Sequence, residues 1–291
     1  MYGEHLNQDA EIRVFTENDC EACQAIWLAC FPEDTPEAPE HFFRDVLHRG
    51  EGLVYQAGGR PVSMVFMLPA ELVGEDGRLP IQYIYAAATH PDYQHRGIFA
   101  ALLRGALDRA AKQGMAASFL HPGEPGLIGY YAGFGYQPFF TVSRRVLTAA
   151  TEEKTAAGKW KSVSADAYTT LRRKYLSRRN GEYVDWPERL VAYAASMAES
   201  VGGGAVADEK GNCALCEPRD GRLFVHELLC PEICREEAVG ELLGRFGCCK
   251  AEVLSPPTAE KEVYGLWCPL SGEGDKRLHA AREPYMGVAL E

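Results

Sequence analysis

The run Gln94-His95-Arg96-Gly97-Ile98-Phe99 has the residue types and spacing of an anion site. It follows a strand-like stretch ending at Thr89. It opens a helix whose apolar residues Ile98, Phe99, Leu102, Leu103, Ala106, Leu107 and Ala110 recur about every 3.6 residues. The first turn of a helix leaves backbone N–H groups unpaired and carries a partial positive charge, so an anion is stabilised there. Gly97 lets the backbone approach a bulky phosphate, and His95 and Arg96 supply charge beside it. A pyrophosphate is the guest that fits.

A second cluster, Cys213, Cys216, Cys230 and Cys234, has C-x2-C and C-x3-C spacing like that of a zinc ribbon. Cys213 and Cys216 fall in Asn212–Glu217, which reads as a strand. Residues three apart on a strand face opposite sides, so a shared metal is disfavoured. Buried free thiols, packing as small hydrophobes, are expected instead, and no metal.

The elements around the anion loop follow from periodicity and turn residues. Arg13–Phe15 reads as a strand, and Thr16-Glu17-Asn18-Asp19 as a capping box ahead of a helix through Ile26, Trp27 and Cys30. Pro32, Pro36 and Pro39 end that helix, and a further helix is expected over His41–His48. Hairpins turn at Gly58-Gly59-Arg60-Pro61 and Gly74-Glu75-Asp76-Gly77, between strands Leu53–Ala57, Val62–Leu68 and Ile81–Thr89. After the amphipathic helix, capped at Gly114, come a buried strand Met115–Leu120, one or two helical turns in Gly126–Ala132, and a strand Phe139–Val146. The order describes an α/β fold with a mixed sheet flanked by helices.

A polar linker, Thr148 to Lys159, separates this half from one that repeats its order: helices Ala165–Arg179 and Pro187–Glu199, strands Ala205–Ala207, Asn212–Glu217 and Leu223–Leu229, helix Arg235–Phe246 and strand Lys250–Leu254. Two copies of one plan, 1–147 and 160–291, are the simplest division. The second copy has Cys230-Pro231-Glu232-Ile233-Cys234 where the anion loop should be, with no glycine and with an acid that repels pyrophosphate. It reads as a degenerate lobe that completes the cleft or packs on the first.

Composition narrows the functions. Lys and Arg number 30 against 41 Asp and Glu, a net charge of −11, which disfavours nucleic acid and anionic lipid and favours cationic substrates such as amines. No run reaches the roughly 20 apolar residues of a membrane span, and the polar start lacks a signal-peptide pattern. No membrane partner and a cytoplasmic location are expected. A dinucleotide-binding oxidoreductase would need G-x-G-x-x-G after the first strand, which is absent there. The sequence leaves room for a homo-oligomer.

The run Ala87-Ala88-Thr89-His90-Pro91-Asp92-Tyr93-Gln94-His95-Arg96-Gly97-Ile98 resembles the acetyl-CoA motif of the GNAT superfamily of N-acetyltransferases, Q/R-x-x-G-x-G/A after a strand ending V-x-P. Tyr130-Tyr131-Ala132-Gly133-Phe134-Gly135-Tyr136 resembles that superfamily's F-Y-x-x-x-G-F element. The motif's last small residue is replaced by Phe99, followed by Ala100. A similar departure marks the enhanced-intracellular-survival type, which adds a second GNAT-like domain and a third, sterol-carrier-like one that this chain is too short to hold.

The resemblance implies a GNAT fold and direct transfer of an acetyl group from acetyl-CoA to a primary amine of a small molecule or peptide. It implies that Ala87, Ala88 and Thr89 pair with the pantetheine arm, and that a strand splay there presents an N–H to the thioester carbonyl. Gln94, His95, Arg96, Gly97, Ile98, Phe99 and Ala100 would cradle the pyrophosphate, and Tyr131 would protonate the departing thiolate. Without the loop, Tyr131 would read as a core aromatic, and His121 reads as structural. The amine's base is open among Glu33, Asp34, Glu37, Glu40 and, as in the enhanced-intracellular-survival type, a terminal carboxylate, here Glu291. An inactive acyl-CoA-binding sensor is the rival: it would bind acetyl-CoA and transfer nothing.

Overall fold

A computed structural model describes residues 10–148 and 159–290. The expected linker Thr148 to Lys159 and Glu291 therefore fall largely or wholly outside the described residues.

The first half runs β1 (Glu11–Val14), α1 (Cys20–Cys30), α2 (Glu37–His41), β2 (Gly52–Ala57), β3 (Arg60–Gly74), β4 (Gly77–Thr89), α3 (Ile98–Lys112), β5 (Ala117–Leu120), α4 (Ile128–Ala132) and β6 (Gln137–Thr148). Both hairpins form where the glycines demand it: Gly58, Gly59 and Gly77 have positive φ. The expected helix His41–His48 is instead α2, beginning at Glu37 and running into a wider π-helical turn over Phe42–Val46. Pro39 does not prevent this. It occupies the first turn, where its missing N–H has no intrahelical partner to lose.

The second half runs β7 (Lys161–Ser162), α5 (Ala165–Leu176), β8 (Tyr183–Asp185), α6 (Glu188–Ser200), β9 (Gly204–Ala207), β10 (Cys213–Arg219), β11 (Arg222–Leu229), α7 (Arg235–Phe246), β12 (Lys250–Ser255), β13 (Glu262–Pro269) and α8 (Gly272–Ala280). Among the described residues, thirteen strands join one sheet in the order β1-β2-β3-β4-β5-β13-β6-β12-β11-β10-β9-β7, with β8 pairing β3 off that path. β4 runs parallel to β5, and β11 parallel to β12. β13 lies between β5 and β6, antiparallel to both, so a strand from the second half sits inside the sheet of the first.

Strand alternation sends successive side chains to opposite faces. On one face Trp27, Phe42, Phe66, Tyr83 and Tyr85 meet Trp186, Leu190 and Tyr193 of the second half in a shared core. On the other, Ile84, Leu120 and Tyr136 pack with Leu102, Leu103 and Ala106 of α3. Cys213 belongs to the shared core, whereas Cys216 and Cys230 join a separate cluster under α7. All three thiols are free and buried, on opposite faces of their sheet. Among the described residues no helix is long and apolar enough to cross a membrane.

The tail after α8 is threaded inward. Tyr285 to Leu290 are all buried, and the Met286 carbonyl accepts from Trp186 Nε1 at 2.7 Å and Arg172 Nη2 at 3.2 Å. The Leu290 carbonyl accepts from the Tyr83 hydroxyl at 3.3 Å, so the end of the tail reaches the middle of β4.

Candidate active site

β4 has two irregularities at its C-terminal end. Met64 pairs Ala88 and Phe66 pairs Tyr85, so two steps along β3 meet three along β4, a bulge centred on Ala86 with φ +43°. On its other edge β4 pairs β5 only at Ile81, Gln82 and Tyr83. Beyond Tyr83 the two parallel strands separate, and the stretch Ile84–Thr89, which includes Ala87, Ala88 and Thr89, has no β5 partner. Backbone donors and acceptors along that edge are available to an extended guest.

The anion loop follows at once. Pro91–Tyr93 form a single 3-10 turn, and the Gln94 side chain donates to the Thr89 carbonyl at 3.1 Å, tying the loop back to the strand end. Cys30 Sγ donates to the same carbonyl at 3.3 Å. Gly97 caps α3 with φ +75°, and a Cβ there would meet nothing within 4 Å, so the space before it is open. Ala101 N–H is the first to bond within the helix, to the Gly97 carbonyl at 3.0 Å. The N–H groups of Ile98, Phe99 and Ala100 are thus the unpaired first turn of a fifteen-residue helix. His95 also has positive φ, +60°, and is exposed. Arg96 is exposed, donating to the Asp92 carbonyl at 2.7 Å and lying 5.2 Å over the Tyr93 ring. Unpaired backbone N–H groups, more than the Gln94 or Arg96 side chain, are what this loop offers an anion.

Tyr131 stands on α4, half-buried, in the aromatic group on the α3 face. Its ring is edge-on to Phe99 at 6.4 Å and to Tyr136 at 5.8 Å. Burial, with Tyr130 beside it, pushes its phenol up to about 12. Phe99, the residue that departs from the small-residue pattern, also packs on Tyr130 at 5.8 Å, so the helix that opens the cradle also orients the phenol. The large side chain at a small-residue position was the one sequence signal for that contact.

On the opposite face, the four carboxylates of the Glu33–Glu40 segment separate. Glu33, Glu37 and Glu40 are exposed, whereas Asp34 is half-buried and accepts from Trp27 Nε1 at 2.7 Å. Burial raises the Asp34 carboxyl above its ordinary range, against the Trp27 hydrogen bond. Trp27 lies edge-on to Tyr85 of β4 at 5.6 Å, so Asp34 stands over the strand just before its bulge. Tyr193 of α6 closes the same wall, its ring 5.8 Å from Phe42 and its hydroxyl 3.3 Å from the Ala38 carbonyl. Tyr193 was not foreseen as part of the site, because only the fold brings α6 against α2. His121 Nδ1 lies 2.5 Å from the Tyr264 carbonyl of β13, with the two rings 4.3 Å apart, which fits the structural role expected of it. Among the described residues no group of His, Cys, Asp and Glu is placed to hold a metal ion.

Residues 11–139 match the family described as Acetyltransferase (GNAT) domain. Among solved structures, a GCN5-related N-acetyltransferase from Kribbella flavida is similar over 93% of this chain and 74% of its own, at 19% identity and TM-score 0.70. A GCN5-related N-acetyltransferase from Anabaena variabilis is similar over 93% and 75%, at 13% identity and TM-score 0.71. Eis1 from Mycobacterium abscessus is similar over 90% and 74%, at 16% identity and TM-score 0.63. These likenesses are of fold. No curated protein matches the sequence.

Proposed function

We propose, from the premise that residues 11–139 form a GNAT acetyltransferase domain, that the chain is an acetyl-CoA-dependent N-acetyltransferase for a primary amine of a small molecule or peptide. The observation that carries this is the parting of β4 from β5 beyond Tyr83, directly before the cradle capped by Gly97. Tyr131 lies on the α3 face of the sheet and Asp34, through Trp27, on the other. In our reading the pantetheine arm lies along Ala87, Ala88 and Thr89 and the pyrophosphate meets the N–H groups between His95 and Ala100. The amine enters from the Asp34 face.

The chemistry then balances with residues of this chain. Asp34 takes a proton from the ammonium group. The freed nitrogen attacks the thioester carbonyl carbon, whose oxygen is stabilised by a backbone N–H at the bulge. The nitrogen sheds its second proton to solvent as the carbon–sulfur bond breaks, the thiolate takes the Tyr131 proton, and exchange with water then reprotonates Tyr131 and deprotonates Asp34. We assign catalysis to residues 1–147 and read 160–291 as a second, degenerate GNAT-like lobe that walls the acceptor side. Support for the lobe is the parallel pair β11 and β12 joined through α7, as β4 and β5 are joined through α3.

Two results test this reading. Calorimetry should find one acetyl-CoA site per chain, and Gly97→Glu should abolish it, because a carboxylate would occupy the open space where phosphate binds, on a backbone strained at φ +75°. Unimpaired binding would refute the cradle. Amine-dependent release of the CoA thiol should follow pH with an acid limb above the ordinary carboxylate range, since the base works only when ionised and burial raises its pKa. Asp34→Asn should remove that limb and lower kcat/KM by about 10²–10⁴-fold. A limb unchanged in Asp34→Asn would assign it elsewhere.

A further inference from the structure

A cavity of about 450 Å³ opens in the second half, away from the cradle, between the end of α5, the turn joining β9 to β10, and the loop leading into α7. Lys174, Arg178, Arg179 and Lys210 line it, with Leu171 and Tyr175 as an apolar wall. Four cations converge there in a chain whose net charge is −11. Among the described residues Lys174, Arg178 and Lys210 make no ion pair, and Arg179 has only Glu283 at 3.9 Å. Arg179 Nη1 is buried without a hydrogen-bond partner. Arg235, the first residue of α7 and only 7% exposed, leaves Nε and Nη1 unpartnered as well. Burial holds the Arg179 guanidinium below its ordinary value, and Arg235 adds to that by repulsion. A buried guanidinium N–H without an acceptor, such as Arg179 Nη1 on the cavity wall, is costly, and an anion in the cavity supplies the acceptor.

We propose that this cavity is a second ligand site that takes a phosphate monoester. A phosphate near neutral pH carries close to two negative charges and several acceptor oxygens, which suits guanidinium forks better than a single carboxylate does. The cavity exceeds the needs of inorganic phosphate and falls within the about 300–1,000 Å³ usual for small-molecule sites. Leu171 and Tyr175 supply the surface for the organic part. Glu232, whose charge argues against pyrophosphate in this half, is exposed and does not line the cavity. The cations come instead from the last turn of α5, the segment just after it and the β9–β10 turn. The proposal is independent of the transferase reading, because none of these residues belongs to the cradle or the acceptor wall.

The test uses the full chain with dephospho-CoA, which lacks a phosphate monoester, saturating the first site. Inorganic phosphate and phenyl phosphate are titrated by calorimetry and thermal shift, with sodium chloride at matched ionic strength as control. One saturable site is expected, tighter for phenyl phosphate than for inorganic phosphate. Lys174→Ala with Arg178→Ala, both exposed positions that the fold tolerates, should weaken it at least tenfold, as should Lys210→Ala alone. Stabilisation no greater than that by chloride, or affinity unaltered in both cavity variants, overturns the site. Phenyl phosphate binding no tighter than phosphate overturns its assignment to an ester. A loss of acetyl-CoA binding or turnover bears on the other reading and leaves this one standing.

Discussion

Tyr131→Phe should lower kcat about 10²–10⁴-fold while leaving affinity for CoA where it was. The substitution removes one hydroxyl and keeps the ring that packs on Phe99 and Tyr136, so the helix that opens the cradle is undisturbed. A phenol raised to about 12 is a weak acid beside an alkyl thiol, whose ordinary pKa is about 8.5. The mismatch narrows in place, because the same burial that disfavours phenolate also disfavours thiolate and makes it more basic as it forms. The raised value also keeps the phenol protonated throughout ordinary assay pH, so no alkaline limb should arise from Tyr131. Steady-state kinetics with thiol detection separates the effects: kcat should fall and the calorimetric Kd for CoA should hold. An unchanged kcat would give the proton transfer to water.

Gly287→Ala should destabilise the protein by about 3–5 kcal/mol, the usual consequence of breaking a buried ion pair. Gly287 has φ +66°, and a Cβ there would lie 2.1 Å from Glu227 Oε1 and 2.5 Å from Arg172 Nη2. Neither partner can yield cheaply. Their side chains are 0% and 1% exposed, paired at 2.9 Å, and Arg172 also donates to the carbonyls of Val184 and Met286. Accommodating one methyl group therefore means expelling the tail or separating the pair. At roughly 2–4 °C per kcal/mol for a chain of this size, the Tm should fall on the order of 10 °C. Turnover should fall with it, since the tail ends against Tyr83 on β4. A Tm close to that of the parent would show that the tail is not pinned by this network.

The elements of the candidate site were legible in the sequence wherever one local segment carries them. The anion loop, its glycine, the helix it opens and the strand before it all announce themselves through periodicity and turn residues within 81–114. What escaped depends on partners distant in the chain. β13 reads poorly because Gly265 interrupts it and its register shifts on both sides of that residue against β6. α8 is polar and holds two glycines. It is fixed by Ser271 accepting from Gly274 N–H at 3.1 Å and by Trp267 Nε1 donating to the Gly274 carbonyl at 3.1 Å. Helix propensity alone would not form it. The acceptor wall is half legible: Asp34 is one of four nearby carboxylates until Trp27 buries it, and Tyr193 arrives from another helix altogether. The basic cavity was invisible because Lys174, Arg178 and Lys210 look like ordinary solvated charges in sequence.

The position of β13 bears on how the protein is made. When the ribosome has released residues 10–148, β5 and β6 have both emerged, yet the strand that joins them, residues 262–269, has still to be synthesised. At about 5–20 residues per second, the hundred or so residues still to come leave three strand edges, one of β5 and both of β6, open for seconds. Unpaired edges of that kind recruit other chains. The nascent protein is therefore expected to need shielding during synthesis, and expression of the first half by itself should yield aggregates in place of a smaller enzyme.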